Sequence, residues 1–346
     1  MAIEKTILNN EKIIKILTKE YGLIGKAIIT YIDRGTSNIF KININDQKYI
    51  LKEFQSETTP NKIEKEINII QYLSTKGILV PKYLTSTSGK CYIKYENKII
   101  IMQEFIEGNV IDDNQATYDQ IIKAGKTYGK LINVMKDYPN LTDEGWIKAK
   151  LSREYLIKSM DKINKAKAEI KPDNPHKLQY LKDYEFKLKI AKELINQFDF
   201  NIINKLTISN THGDYSTLQL IRDDNNEITI IDFEEARKMP IIWEIMRSYC
   251  YMDKETKEGK INITTLKQYT KEVNKYFKLN KYDLKYASYI FLIQLTGSLF
   301  GYKEYNNDYE QKNLLRFALV RTKISKNLYE NLDKIGEELL TILEEN

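Results

Sequence analysis

A chain of 346 residues, 42% apolar and 29% charged, can bury a sizeable core and has the composition of a globular protein, which excludes a disordered one. Its length exceeds the roughly 250–300 residues at which a single core stops growing, so two domains or one bilobal unit are expected. The net charge of +6 comes from lysines spread along the chain without a basic stripe, which argues against a nucleic-acid partner; two cysteines, Cys91 and Cys250, support neither a disulfide framework nor a zinc site.

The opening MAIEKTILNNEKIIKIL sets Glu and Lys among its apolar positions, as an amphipathic helix does and a signal peptide does not. The longest apolar run, ASYIFLIQL at 287–295, falls short of the roughly 20 residues of a membrane span. A cytoplasmic protein without a membrane partner is expected, as a monomer or homodimer.

From 26 to 54 the text alternates with period two: KAIITYID, the break RGTSN, IFKININ, the turn NDQ, then KYILKEF. Antiparallel strands joined by tight turns fit this pattern. Residues 61–75 place Ile63, Ile67, Ile70 and Leu73 on one helical face, and Gly77 and Pro81 close that helix. A hairpin follows over 89–108, turning at Glu96 to Lys98. Helical periodicity then dominates 116–200, interrupted at KDYPNLTDEG and KPDNPH. A short hairpin, LQLI, RDDNNE, ITIID, precedes further helices. The expected class is α+β: a small antiparallel N-terminal sheet with one helix (1–106) and a larger, mainly helical C-terminal lobe (107–346), with a cleft between lobes to host a ligand.

Two acidic loops stand out, THGDYSTLQLI around Asp214 and IIDFEEA around Asp232. Phosphoryl transfer needs one carboxylate to orient the attacking hydroxyl and take its proton, and another to hold Mg²⁺ against the phosphates. Asp214 precedes the first strand of the hairpin and Asp232 follows the second, so both are expected on the same side of it. The turn RGTSN offers Gly35 for close backbone approach and Thr36, Ser37 and Asn38 as donors to phosphate. Lys52 on the third strand is placed for the α and β phosphates, with Glu66 on the next helix as its partner. The segment MQEFIEG stands where main-chain groups would meet an adenine.

On these residues the sequence resembles the aminoglycoside phosphotransferase and choline kinase superfamily, the small-molecule branch of the protein-kinase-like fold. HGDYSTLQLI resembles its catalytic loop and IIDFEEA its metal motif, over roughly 26–250. The resemblance implies an ATP- and Mg²⁺-dependent kinase acting on a hydroxyl of a small molecule. It makes Asp214 the catalytic base, His212 the brace of the loop, Asp232 the chief Mg²⁺ ligand, and Lys52 and Glu66 the phosphate lysine and its partner. The main chain near Glu104 and Ile106 would meet the adenine. Where the family has Asn as second metal ligand this chain has Gln219, a feature its maltokinase-like members share; Ser216 replaces a frequent second histidine.

Those two departures support the alternative reading, a weak or inactive kinase-like binding protein of the spore-coat type. A protein kinase is disfavoured, because no activation loop follows Asp232. Glu244 and Arg247 are expected to stabilise the lobe, His176 to be a loop residue, and 285–302 to be helix core, with Tyr302 and Glu304 as candidates for substrate contact. The acceptor stays open among antibiotics, amino alcohols and sugars. A polycationic aminoglycoside would need acids such as Asp253, Glu304, Asp308 or Glu310, and choline an aromatic cage.

Overall fold

The computed structural model describes residues 4–32, 37–111 and 116–345. They begin with α1 (Asn10–Tyr21), the strands β1 (Ala27–Ile32), β2 (Asn38–Ile44) and β3 (Gln47–Glu53), and α2 (Pro60–Thr75). Then come β4 (Tyr92–Tyr95), β5 (Lys98–Glu104), β6 (Asn109–Val110), α3 (Tyr118–Met135), α4 (Trp146–Leu151), α5 (Arg153–Ala168) and α6 (Lys177–Gln197). Four short strands follow, β7 (Ile208–Thr211), β8 (Leu220–Arg222), β9 (Ile228–Ile230) and β10 (Arg237–Pro240). The chain ends in helices α7 (Ile241–Met252), α8 (Lys254–Lys257), α9 (Ile263–Tyr276), α10 (Lys281–Lys285), α11 (Ala287–Thr296), α12 (Tyr302–Asn307), α13 (Lys312–Glu330) and α14 (Leu332–Leu340). Two compact units result: a sheet unit, Met1–Val110 with Gln219–Glu235, and a helical unit, Ile111–Leu218 with Ala236–Asn346.

The sheet unit is built on an antiparallel sheet of order β1-β2-β3-β5-β4. Along β2 every second residue is buried, Asn38, Phe40, Ile42 and Ile44, which pins the register, since a slip of one residue would turn that set outward. β5 instead buries a continuous run, because both of its faces are covered. Ile100 and Met102 join Ile13, Ile16 and Leu17 of α1, while Ile99 and Ile101 join Ile63 and Ile67 of α2. The first helix starts at Asn10 and not at the N-terminus, because the Asn9 side chain caps the Lys12 amide. Ahead of it Glu4 accepts the Ser56 amide and Thr6 donates to Glu53, which also holds the buried Lys98 ammonium at 2.9 Å. The NDQ turn takes left-handed conformations at Asn45 and Asp46 (φ 51° and 60°), as a two-residue hairpin loop requires.

The expected C-terminal hairpin is β8–β9, and β6 extends it into a three-stranded sheet. β8 begins only at Leu220, because residues 217–219 form a 3₁₀ turn.

In the helical unit α3 and α9 pack closely, and glycine permits it. A Cβ on Gly125 would lie 2.9 Å from the Tyr269 carbonyl oxygen, and one on Gly129 at 2.9 Å from that of Val273. Helix α11 buries residues around its whole circumference, from Ala287 to Thr296, as a helix at the centre of a core must. Around Tyr302 the rings of Tyr180 and Tyr184 stand edge-on at 4.8 and 5.4 Å. Tyr302 is 1% exposed and donates to buried Asp183 at 2.8 Å, so it is core and not a substrate contact. Glu304 accepts the Gly301 amide as a helix cap. No helix among the described residues is long and apolar enough to cross a membrane.

Candidate active site

The HGD loop lies in the helical unit, between β7 and the 3₁₀ turn. β7 pairs with β10 in the register Thr211 to Arg237, a ladder too short to be read from alternation. The loop is fixed by one carboxylate. Glu244, fully buried on α7, accepts the amides of His212 and Tyr215, each at 3.1 Å, and the Tyr128 hydroxyl at 2.7 Å. Three donors converge on this one carboxylate, and two of them hold the loop backbone at two points. Tyr215 in turn donates to the Ala124 carbonyl on α3 at 2.8 Å.

His212 is buried, and its Nδ1 accepts the Asp214 amide at 3.3 Å. The ring therefore braces the loop through its nitrogen. The Asp214 carboxylate is partly open to solvent and is gripped by the Arg247 guanidinium. Arg247 thus does more than stabilise the lobe: it touches the expected base directly. Glu244 and Arg247 are three apart on α7 and share a face, a spacing that could have flagged both as loop contacts.

The second cluster is internal to the sheet unit. Asp232, just after β9, sits in the left-handed region at φ 68°, which an aspartate tolerates at a cost of order 1 kcal/mol. Its carboxylate meets Lys52 Nζ at 3.3 Å. Glu234 lies 3.9 Å from the same ammonium and 2.6 Å from that of Lys62, which also faces Glu235 at 3.8 Å. Glu234 and Lys62 were not singled out from sequence, although Lys62 precedes Glu66 by one helical turn. Gln219 is buried at the end of the 3₁₀ turn, and its carbonyl accepts the Ile231 amide at 3.0 Å, one residue before Asp232.

The expected ion pair between Lys52 and Glu66 is not formed; Asp232 and Glu234 take the ammonium instead. Glu66 is buried beside Tyr83, with one carboxylate oxygen that has no hydrogen-bond partner among the described residues. Burial, reinforced by Asp232 and Glu234, pushes its pKa up to about 7 against the pull of Lys52. For Lys52 burial alone would lower the ammonium's pKa, but Asp232, Glu66 and Glu234 together hold it above its ordinary value. Around these two lysines stand four carboxylates, Asp232, Glu234, Glu235 and Glu66.

Of the expected phosphate-binding turn, Gly35 and Thr36 lie outside the described residues. Ser37 is buried at the start of β2. Asn38 turns its amide inward, donating to the Glu4 carbonyl at 3.1 Å and to Glu53 at 3.3 Å, so its donors are already used inside the sheet unit. At the expected adenine edge the Glu104 amide donates to the Lys82 carbonyl at 2.9 Å. Half-buried Ile106 uses neither its amide nor its carbonyl in a hydrogen bond with other described residues.

Comparison with known proteins gives a consistent picture. The model of the family described as Phosphotransferase enzyme family matches residues 28–266. None of the curated proteins matches. Among solved structures, an aminoglycoside phosphotransferase from Alicyclobacillus acidocaldarius is 13% identical, covers 96% of this chain and 98% of its own, and has a TM-score of 0.67. A choline kinase from Cryptosporidium parvum is 16% identical, with 97% and 99% coverage and a TM-score of 0.62. An amicoumacin kinase complexed with AMP-PNP, Ca²⁺ and Ami is 13% identical, with 94% coverage of each chain and a TM-score of 0.57. At such identities the likeness concerns the fold, which is the protein-kinase-like one expected from the sequence.

Proposed function

We propose that this chain, which belongs to the phosphotransferase enzyme family, is an ATP- and Mg²⁺-dependent kinase that phosphorylates a hydroxyl of a small molecule in the cytoplasm. The observation that carries the reading is the held state of the HGD loop: Glu244 fixes the amides of residues 212 and 215, so Asp214 is presented from a rigid frame. A base for phosphoryl transfer contributes by position, and a backbone anchored on both sides of it supplies position.

In the proposed reaction the acceptor hydroxyl attacks the γ-phosphorus in line. The bond from that phosphorus to the β–γ bridging oxygen breaks, ADP leaves, and the hydroxyl proton passes to Asp214. Arg247 holds the Asp214 carboxylate in orientation for that transfer. Lys52 neutralises charge on the nucleotide phosphates. Asp232 and the Gln219 side-chain oxygen would hold Mg²⁺, which when bound neutralises phosphate charge. Hard oxygen donors suit that ion, and magnesium sites in nucleotide enzymes take one or two carboxylates and complete their shell with phosphate and water. The two lysines facing four carboxylates are consistent with a further cation. The bound AMP-PNP and Ca²⁺ of the amicoumacin kinase support the choice of nucleotide and divalent ion.

The test is nucleotide consumption with Mg²⁺ across hydroxyl acceptors: amino alcohols, sugars, hydroxy acids and antibiotics. At least one acceptor should accelerate ADP release, and EDTA should stop it. Acceleration by none, with intact Mg²⁺–ATP binding, would replace the kinase by a nucleotide-binding relative.

A further inference from the structure

The helical unit contains a cavity of about 490 Å³ whose wall is unusually basic. Lys150 at the end of α4, Lys162 and Lys165 on α5, and Lys303 on α12 line it, together with Tyr155 and Gln294. The single acid on its wall, Glu169, is already paired with Lys165 at 3.8 Å. Among the described residues Lys150, Lys162 and Lys303 pair with no carboxylate. Beneath the wall lies Arg321 of α13, 9% exposed, near enough to Lys150 and Tyr155 to act on both, and with an Nε that has no hydrogen-bond partner. Buried Lys187 adds to the same region and donates to the Leu295 carbonyl at 2.9 Å, one residue from Gln294.

Lys162, Lys165 and Lys303 are exposed and hydrated, but like charges gathered on one wall still repel one another, and Arg321 adds a buried donor without a partner. Here burial, Lys162 and Arg321 all hold the Lys150 ammonium below its ordinary pKa. One bound carboxylate or phosphate would relieve the repulsion and accept several of these donors at once. Three of the four acids named for a polycationic acceptor are engaged by local backbone. Asp253 caps α8 through Thr256, Glu304 caps α12, and Asp308 holds the Glu310 amide and Gln311.

Side chains next to the cavity also pack, link by link, toward the catalytic loop within the same unit. Arg247, which grips Asp214, lies 5.1 Å from the Tyr251 ring; Tyr251 is 5.7 Å from Phe317, and Arg321 rests 5.3 Å over Phe317. A strip of stacked side chains therefore runs from Asp214 to the buried arginine beneath the basic wall.

We propose that this cavity binds the anionic group of the phosphoryl acceptor, which makes the acceptor a hydroxy compound carrying a carboxylate or a phosphate, and neither a polycation nor a quaternary amine. The assignment rests on the kinase reading above for the word acceptor, but the anion site itself does not. The test is calorimetric titration of the full chain at low salt, without nucleotide, using glycerate and glycerol 3-phosphate as probes and choline as the control. The two probes distinguish a carboxylate from a phosphate as the recognised group. Saturable binding of at least one anion, weakened about tenfold in each of Lys150→Met and Lys162→Met, is expected, a change of about 1.4 kcal/mol. Unchanged affinity in both variants, or binding of choline and of neither anion, would overturn the site. Anion binding with the expected losses but no nucleotide consumption with any acceptor would overturn the kinase reading and leave the anion site standing. Nucleotide consumption driven by an aminoglycoside and by no anionic acceptor would leave the kinase reading standing and overturn the acceptor class.

Discussion

The carboxylate at the centre of the helical unit and the carboxylates of the sheet unit face opposite situations. Glu244 is fully buried and meets three donors of fixed geometry, two of them backbone amides. Asp232, Glu234 and Glu66 crowd two flexible lysine side chains, and one oxygen of Glu66 has no partner among the described residues. The first arrangement stores position and the second stores charge. A loop that must aim a base benefits from a frame with nothing to rearrange. A site that must take in a charged ligand benefits from ion pairs that can exchange partners.

The contrast can be broken at either end. Glu244→Ala should have the larger effect, because it leaves two loop amides and the Tyr128 hydroxyl buried without an acceptor; unfolding free energy should fall by about 3–5 kcal/mol in chemical denaturation. A loss below about 1 kcal/mol would mean that the loop does not depend on that frame.

A smaller effect, dependent on pH, is expected in the sheet unit. The folded pKa of Glu66 lies above its unfolded value, so between about pH 4.5 and 7 the native state holds a proton that the unfolded state has released. Its contribution to stability is present below that window and is lost as pH rises through 7. Glu66→Gln keeps the neutral form at every pH. Its melting temperature should match the parent at pH 5 and exceed it by a few degrees at pH 8; equal shifts at both pH values would contradict the raised pKa.

What the sequence disclosed followed element length and contact type. The strands flanking Lys52 and the helix carrying Glu66 are long enough for period two and period 3.6 to be unambiguous, and the sheet has the antiparallel order they imply. The three-stranded and two-stranded sheets around the loops use strands of two to four residues, and these escaped notice apart from the β8–β9 hairpin. Lys52 and Asp232 are 180 residues apart, and only their resemblance to known motifs brought them together in advance. That Lys52 would prefer Asp232 and Glu234 to Glu66 depends on distances that no spacing encodes. The grip of Arg247 on Asp214 was within reach, since Glu244 and Arg247 share a helix face. The basic cavity was not, because its lysines come from α4, α5 and α12 and read separately as solvated surface.

The most direct measurement is Asp214→Ala assayed twice, for Mg²⁺–ATP affinity by titration and for turnover by ADP release with an acceptor that the parent uses. Turnover should fall by about 10²–10⁴-fold, the range expected for loss of a general base, with nucleotide affinity within about threefold of the parent. Turnover at the parent's level would contradict the assignment of Asp214 as the base.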